Sequence, residues 1–373
     1  MHKLLIVANV SKEHIRKFHI PFIIRMKEQG WQVDVACRMD APVPECDNAY
    51  DLPCNRNPFG GGVYKSIRLL REILQRNRYN VILCNTVTGS IVARLAARSF
   101  RKNGLKVFYI NHGLHFFKGA PINRWIMGYP VEKLLAPCTD VLITINSADY
   151  DMAKKYLRVA VVERIHGIGV DLRRFRNCQM SEVNKERMRK TLGFSPKDFV
   201  LTYVAEINEN KNQFMLLEAF NIVSQAIPNT KMLLVGPEHD DGKVRNFICK
   251  YGLKDKVLLL GWREDIPELL KISDVYVASS KSEGLGVNII EAMACNLPVI
   301  ASKNRGHAEI IRHEVNGFLV EQNDFEEMAA YVLRLSDDAA LREAVTKQAQ
   351  ADILKYETNF VLNELQHIFD LYT

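Results

Sequence analysis

Two glutamates eight residues apart bracket a glycine turn in the segment Asp274-Val-Tyr-Val-Ala-Ser-Ser-Lys-Ser-Glu283-Gly-Leu-Gly-Val-Asn-Ile-Ile-Glu291-Ala-Met-Ala. An apolar run ends near Ala278, the turn Gly284-Leu285-Gly286 follows, and a helix is expected to start near Val287 or Asn288. Such a junction aims free backbone N–H groups and the positive end of a helix at an anion, and the glycines let a phosphate come close. Glu283 stands just before the turn and Glu291 inside the helix. Carboxylates on either side of a phosphate are unsuited to bind it. They are suited to accept hydrogen bonds from hydroxyls that flank it, as the sugar and the ribose do in a nucleotide sugar. A Gly-x-Gly alone is weak evidence. Joined to the two glutamates, to Ala-Met-Ala and to Pro298-Val-Ile-Ala-Ser302, it is far more specific.

The elements around this turn belong to a parallel sheet. Short apolar runs at residues 4–8, 32–36, 81–84, 107–110, 141–145 and 161–165 alternate with helix-period stretches at 18–29, 64–76 and 89–102. The pattern recurs, with strands expected at 200–204, 231–235, 257–260, 275–278, 298–301 and 318–320. Helices are expected between them at 213–225, 243–251, 266–272, 288–294 and 324–335. Strands apolar on both faces, alternating with helices, mean βαβ units. The expected class is α/β, with two Rossmann-like, doubly wound parallel-sheet domains facing each other across a cleft. Ligands of such domains sit at the carboxyl ends of the strands. The domains are expected at 1–170 and 171–354, with an amphipathic helix at 355–373 packing back on the first.

Composition excludes several classes. A chain of 373 residues with 47% hydrophobic and 25% charged residues is an ordinary globular protein of two domains. Its eight cysteines form no C-x-x-C pair, which argues against a zinc site and a disulfide framework and for reduced thiols in a cytosolic protein. The apolar start, residues 4–10, is too short for a signal peptide, and no stretch approaches the roughly 20 apolar residues of a membrane span. A cytoplasmic, at most peripheral, protein is expected. Residues 1–175 hold 27 Lys and Arg against 14 Asp and Glu, whereas residues 176–373 hold 23 against 29. The basic first half suits an anionic membrane surface or anionic substrate, or is a solvated surface. The dispersed charges and the lack of a nucleic-acid motif speak against nucleic acid.

Glu283-Gly-x-Gly-x4-Glu291-Ala-Met-Ala-x3-Pro298-Val-Ile resembles the Glu-x7-Glu motif of the retaining GT-B glycosyltransferases of family 4 (group 1), in particular the capsule and exopolysaccharide type. Val235-Gly236-Pro237, Leu260-Gly261-Trp262-Arg263, Asn316-Gly317-Phe318 and Gly169-Val170-Asp171 extend the resemblance, as does Asn111-His112-Gly113-Leu114-His115 in the first half. The match is strong over 200–325 and looser before. It implies that Glu283 binds the donor sugar, that Glu291 binds the ribose, and that the N–H groups of Leu285, Gly286 and Val287 meet the diphosphate. It further implies that Lys211 neutralises the leaving diphosphate, that Trp262 and Arg263 lie at the base, and that His112 faces the sugar. A lysine and a helix N-terminus can stabilise the charge that develops on a departing nucleoside diphosphate without a metal or other cofactor. The implied reaction moves a hexosyl or N-acetylhexosaminyl group from a UDP-sugar to a saccharide acceptor carried on a polyprenyl-diphosphate lipid. The implied place is the inner membrane surface, in polysaccharide biosynthesis.

Two positions depart from the family pattern. Ala205-Glu206 replaces the usual Gly-Arg, so one phosphate cation is missing, and Arg263 or Lys281 is the candidate substitute. The first loop, which shapes the acceptor side, lacks the common Gly-Gly and offers Asn9, Ser11 and His14, with His115 beyond. Other residues have plainer readings. Asp149-Tyr-Asp151 is read as a helix cap rather than a metal motif. His14, His19 and His115 lack ligand-like spacing and read as surface or acceptor-cleft residues. Phe116, Phe117, Trp125, Ile126, Met127 and Tyr129, near Lys118 and Arg124, are either core or a peripheral membrane face. A UDP-sugar epimerase of similar architecture and a non-catalytic partner subunit are the rival functions. The missing G-x-G-x-x-G after the first strand disfavours an oxidoreductase.

Overall fold

The computed structural model describes residues 2–54 and 60–373. They divide into two compact units: unit 1 is Met1–Gly169 with Thr358–Thr373, and unit 2 is Val170–Glu357.

Unit 1 holds seven parallel strands: β1 (Lys3–Val10), β2 (Gln32–Arg38), β3 (Asn48–Asp51), β4 (Val81–Cys84), β5 (Lys106–Asn111), β6 (Val141–Thr144) and β7 (Val161–Arg164), in the order 3-2-1-4-5-6-7. Unit 2 holds six more: β8 (Phe199–Val204), β9 (Thr230–Val235), β10 (Val257–Gly261), β11 (Val275–Ala278), β12 (Val299–Ser302) and β13 (Phe318–Val320), in the order 10-9-8-11-12-13. In each sheet the order reverses beside its first strand, at β1/β4 and at β8/β11. Loops there diverge to opposite faces and leave a crevice at the carboxyl ends, where doubly wound sheets bind ligands.

The central strands are buried along their length. Leu4 to Ala8, Val81 to Cys84 and Val275 to Ala278 have no exposed surface. The edge strand β3 was not expected from sequence, because Asn-Ala-Tyr-Asp carries no apolar run and is mostly exposed. Its parallel ladder with β2 holds it, joined by one side-chain bond, from Asn48 Nδ2 to buried Asp34 at 3.0 Å.

At the unit 1 switch point the helix Val87–Ala97 begins directly against β1. Thr86, at φ +61°, accepts a bond from the Gly89 N–H, and a Cβ on Gly89 would lie 2.9 Å from Ala8 Cα. Any larger side chain at 89 would push the helix start away from the strand end.

The helix Thr358–Tyr372 belongs to unit 1. Phe369 is fully buried, its ring edge-on to Phe22 at 5.3 Å and to Phe108 at 4.8 Å. Arg25 donates to Asn363 at 2.9 Å, and Glu364 accepts from the backbone and ring of His166. Phe369→Ala removes a core aromatic and is expected to destabilise the protein by about 3–5 kcal/mol in urea unfolding. Leu371→Ala, on the exposed side of the same helix, should change stability by less than about 0.5 kcal/mol. Equal losses would contradict this packing.

Candidate active site

In unit 2 the loops after β8 and β11 are stitched together. Ser279 Oγ donates to the Lys211 carbonyl at 2.8 Å, Lys281 N–H to the Asn210 carbonyl at 2.7 Å, and Asn210 Nδ2 to the Ser282 carbonyl at 3.0 Å. Asn212, in the left-handed region at φ +54°, turns the chain from Lys211 into the helix Gln213–Ala226. The stitching brings Lys211 Nζ to 2.5 Å from Glu283 Oε1, with 22% and 17% of the side chains exposed. A third loop, after β12, closes on the same glutamate. Arg305 Nε donates to the Glu283 carbonyl at 3.2 Å, and a Cβ on Gly306 would sit 2.8–2.9 Å from Glu283 atoms. Only glycine at 306 lets the helix Arg305–Ile310 approach this closely.

The turn from Glu283 leads into the helix Val287–Ala294, whose N-terminal residue Gly286 supplies no side-chain cap. Leu285 and Gly286 are buried and Val287 half-buried. Asn288 Nδ2 donates to the Val204 carbonyl at 3.0 Å and ties the helix start to the end of β8. Glu291 lies half-buried in the second turn; desolvation raises its pKa to about 7, opposed by the positive charge of Arg174. Arg174 donates to the Glu264 carbonyl at 3.0 Å and, with Glu264 and Asp265, lines a cavity of about 630 Å³.

The other donor-side candidates are less enclosed. Trp262 is 65% exposed. Arg263 forms a two-pronged pair with Asp265 at 2.7 and 2.5 Å, and Lys281 an exposed pair with Glu209 at 3.4 Å. Both proposed substitutes for the missing cation are thus engaged by carboxylates. Glu206 is exposed and accepts from Asn208 at 3.3 Å. Sequence reading missed two residues. Arg305 is a second cation at Glu283. His307, fully buried, donates from Nδ1 to the Ser302 carbonyl at 2.6 Å; burial lowers its pKa to about 4, and its Nε2 has no hydrogen-bond partner among the described residues. The available signal was Asn304 after an apolar strand, which caps this helix by accepting from the N–H groups of Gly306 and His307.

In unit 1 the strand ends carry Asn9, Asn111 and His112. Asn9 and His115 line a cavity of about 480 Å³ with Asn111, Arg124, Met127 and Glu132. Beneath it Glu132 is paired with fully buried Arg94 at 2.7 Å. Ser11 does not face that cavity. It is buried, and its hydroxyl donates to Asp40 and lies equally close, at 2.7 Å, to the Ala41 carbonyl. The histidines also differ from expectation. His19 is buried rather than on the surface, and it gathers with His14 and His112 while His115 stands apart and exposed.

The aromatic stretch resolves into two faces. Phe116, Trp125, Tyr129 and Tyr156 pack on one another with ring centres 5.3–6.1 Å apart, and Trp125 Nε1 donates to the Phe117 carbonyl. These rings are core. Ile122, Ile126, Met127 and Leu134 of the helix Ile122–Leu135 are the outward apolar residues. Asp149 does not cap its helix: Asn146 does, accepting from Asp149 N–H at 2.7 Å, while Asp149 Oδ2 accepts from Asn146 Nδ2 and Leu114 N–H.

Residues 184–352 match the family model of glycosyl transferases group 1, and residues 22–174 match that of Glycosyltransferase Family 4. A Bacillus subtilis protein named as glycosyltransferase EpsD is 38% identical over 371 residues, which are 99% of this chain and 97% of that one. The chain is a group 1 glycosyltransferase. This glycosyltransferase is also 32% identical to the UDP-Gal:alpha-D-GlcNAc-diphosphoundecaprenol alpha-1,3-galactosyltransferase of Escherichia coli, over 74% of its own length and 71% of the relative's. Two solved structures share its GT-B fold of Rossmann-like units. They are Anabaena HepE in complex with UDP and glucose (TM-score 0.80, 20% identity, all of both chains) and the lipopolysaccharide glycosyltransferase WaaG (0.76, 14%, 98% and 99%).

The raised pKa of Glu291 gives a test with a defined sign. A carboxyl kept neutral by burial stabilises the fold fully below the unfolded value of about 4.3, and that contribution is lost as pH rises through about 7. Glu291→Gln keeps a neutral group at every pH. The stability of the wild-type protein relative to Glu291→Gln should therefore fall between about pH 4.5 and 7, as read by urea unfolding. A constant difference would contradict the burial of this group.

Proposed function

We propose that the enzyme moves a hexosyl or N-acetylhexosaminyl group from a UDP-sugar to a polyprenyl-diphosphate-linked saccharide. Configuration is retained, and no metal is needed at the diphosphate. The observation that carries this reading is the Lys211–Glu283 contact beside the uncapped start of the helix Val287–Ala294. With donor bound, Glu283 exchanges the ammonium for sugar hydroxyls, and Lys211 meets the diphosphate. Lysine and helix N-terminus then face the negative charge that grows as the nucleoside diphosphate leaves, a preorganised electrostatic stabilisation that replaces a metal. Arg305 supplies the second positive charge that Glu206 cannot. Glu291, freed of its proton, accepts from the ribose hydroxyls, and exposed Trp262 and Arg263 border the base.

Relatives support the choice of substrates. The Escherichia coli protein is named for UDP-Gal and a diphosphoundecaprenol-linked acceptor. A Campylobacter jejuni relative, 24% identical over 95% of both chains, is named as an α-1,3-N-acetylgalactosaminyltransferase acting on a diphospho-undecaprenol-linked sugar. HepE was solved with UDP and glucose. Both named transferases make α linkages, which means retention from an α-linked UDP-sugar. The acceptor side is assigned to the unit 1 cavity with Asn9 and His115.

No helix among the described residues is long and apolar enough to cross a membrane. The outward face of Ile122, Ile126, Met127 and Leu134, beside Arg124 and Lys133, fits peripheral docking on an anionic inner leaflet, where the lipid-linked acceptor resides.

Thermal-shift binding tests the donor site. UDP at about 100 times Kd should add roughly 2.7 kcal/mol of stability. GDP and ADP should add less, EDTA should leave the shift intact, and Glu291→Ala should remove it. Loss of the shift in EDTA overturns metal independence, and no shift with any nucleotide overturns the donor assignment. The anomeric proton coupling of the product reads the stereochemistry, and a β product contradicts retention. Ile122→Glu with Ile126→Glu should abolish sedimentation with anionic vesicles, and undiminished sedimentation removes this face from the membrane role.

A further inference from the structure

His14 and His19 lie five residues apart, a spacing that a regular α-helix would turn about 140° away from each other. Here the chain leaves β1 through a wide π-type turn, Ser11–Ile15, closed by the Arg16 N–H donating to the Ser11 carbonyl. Such turns are rare and frequently occur at functional sites. This one is firmly held: Asp40 accepts from the N–H groups of Ser11 and Lys12, and from the Ser11 hydroxyl. The result is that His14 Nε2 and His19 Nε2 come within 3.3 Å. His112, delivered from the end of β5, sets its ring edge-on to His14 with centres 4.9 Å apart. One ring nitrogen from each of the three histidines lies within 4.8 Å of the other two.

We infer that His14, His19 and His112 form a binding site for a borderline-soft divalent transition metal such as zinc or cobalt. The metal takes three imidazole nitrogens and leaves one position open. Tetrahedral zinc binds imidazole nitrogen at about 2.0–2.1 Å, which sets neighbouring ligand nitrogens about 3.3–3.4 Å apart. The His14–His19 pair already has that separation. Three imidazoles with a free fourth position suit zinc, cobalt, nickel and copper rather than magnesium or calcium.

A further observation points to a ligand. His112 Nε2 is buried with no hydrogen-bond partner among the described residues, an uncompensated cost that a metal bond would remove. Among the described residues the group of possible ligands holds these three imidazoles and no Asp, Glu or Cys. The ring of Phe18, 5.6 Å from His14 and 6.3 Å from His112, adds an apolar wall. A bound metal would clamp the turn after β1 to the end of β5. All three ligands belong to unit 1, and the site is read without donor or acceptor bound.

The test is a titration of the purified, EDTA-stripped full chain with Co²⁺ and with Zn²⁺. One Co²⁺ per chain should bind, with the intense visible absorption of a four-coordinate ion, and Zn²⁺ should displace it and raise the melting temperature. Both effects should vanish in His19→Leu, which fills the buried site with an apolar side chain. They should vanish equally in His14→Ala, where a half-exposed position tolerates truncation. Circular dichroism establishes that each variant is folded, and His14→Ala carries the test if His19→Leu is not. Absence of stoichiometric Co²⁺ binding in the wild type, or a visible spectrum unchanged in folded His14→Ala, overturns the site.

Discussion

An ion pair between two half-buried side chains, Lys211 and Glu283, is the contact around which unit 2 is arranged. Taking either charge out of water alone would be costly, because desolvation is recovered only when the partner is present in good geometry. The fold meets this condition through three separate loops. The loop after β8 brings the lysine, the loop after β11 brings the glutamate, and the loop after β12 braces the glutamate through Arg305 and the bare backbone of Gly306. All three emerge at or beside the place where the strand order reverses, so the topology of the sheet decides where the charges meet. In the proposed donor complex each member would trade its partner, the glutamate for hydrogen bonds from sugar hydroxyls and the lysine for the negative charge of the diphosphate.

The other strand-end groups of the two units have different surroundings. Glu291, deeper in the same helix, is held toward its neutral form by burial. In unit 1 burial lowers the pKa of His14, His19 and His112, and the buried Arg94–Glu132 pair underlies the cavity that holds Asn9 and His115. The charged residues of the basic first half lie mostly on its surface. Its strand-end residues Asn9 and Asn111 are polar and carry no charge.

Much of this was legible in the sequence, for a physical reason. Strands buried on both faces read as unbroken apolar runs, so β1, β2 and β4 through β13 were all expected close to their observed bounds. The edge strand β3 was not, because its ladder with β2 and a bond from Asn48 to Asp34, rather than apolar burial, hold it in place. The helix Ile122–Leu135 was obscured by Pro130 in its interior and by aromatic residues on its inner face. Lys211, Glu283 and Glu291 could be named from motif spacing and resemblance, since each belongs to a short local pattern. Arg305 and His307 could not, because their relation to Glu283 exists only after β11 and β12 pair. The gathering of His14, His19 and His112 was hidden twice, once by a π-type turn that no periodicity announces and once by the 92 residues of chain between His19 and His112.

The most direct measurement of the central claim is a double-mutant cycle on sugar transfer, with UDP release followed for the wild type, Lys211→Ala, Glu283→Ala and the double variant. If the two side chains act as one unit at the reacting centre, each single change lowers kcat by orders of magnitude. The double variant is then scarcely slower than either, with a strongly non-additive coupling. Additive losses, or a single variant with kcat close to that of the wild type, would contradict a reaction centred on this pair.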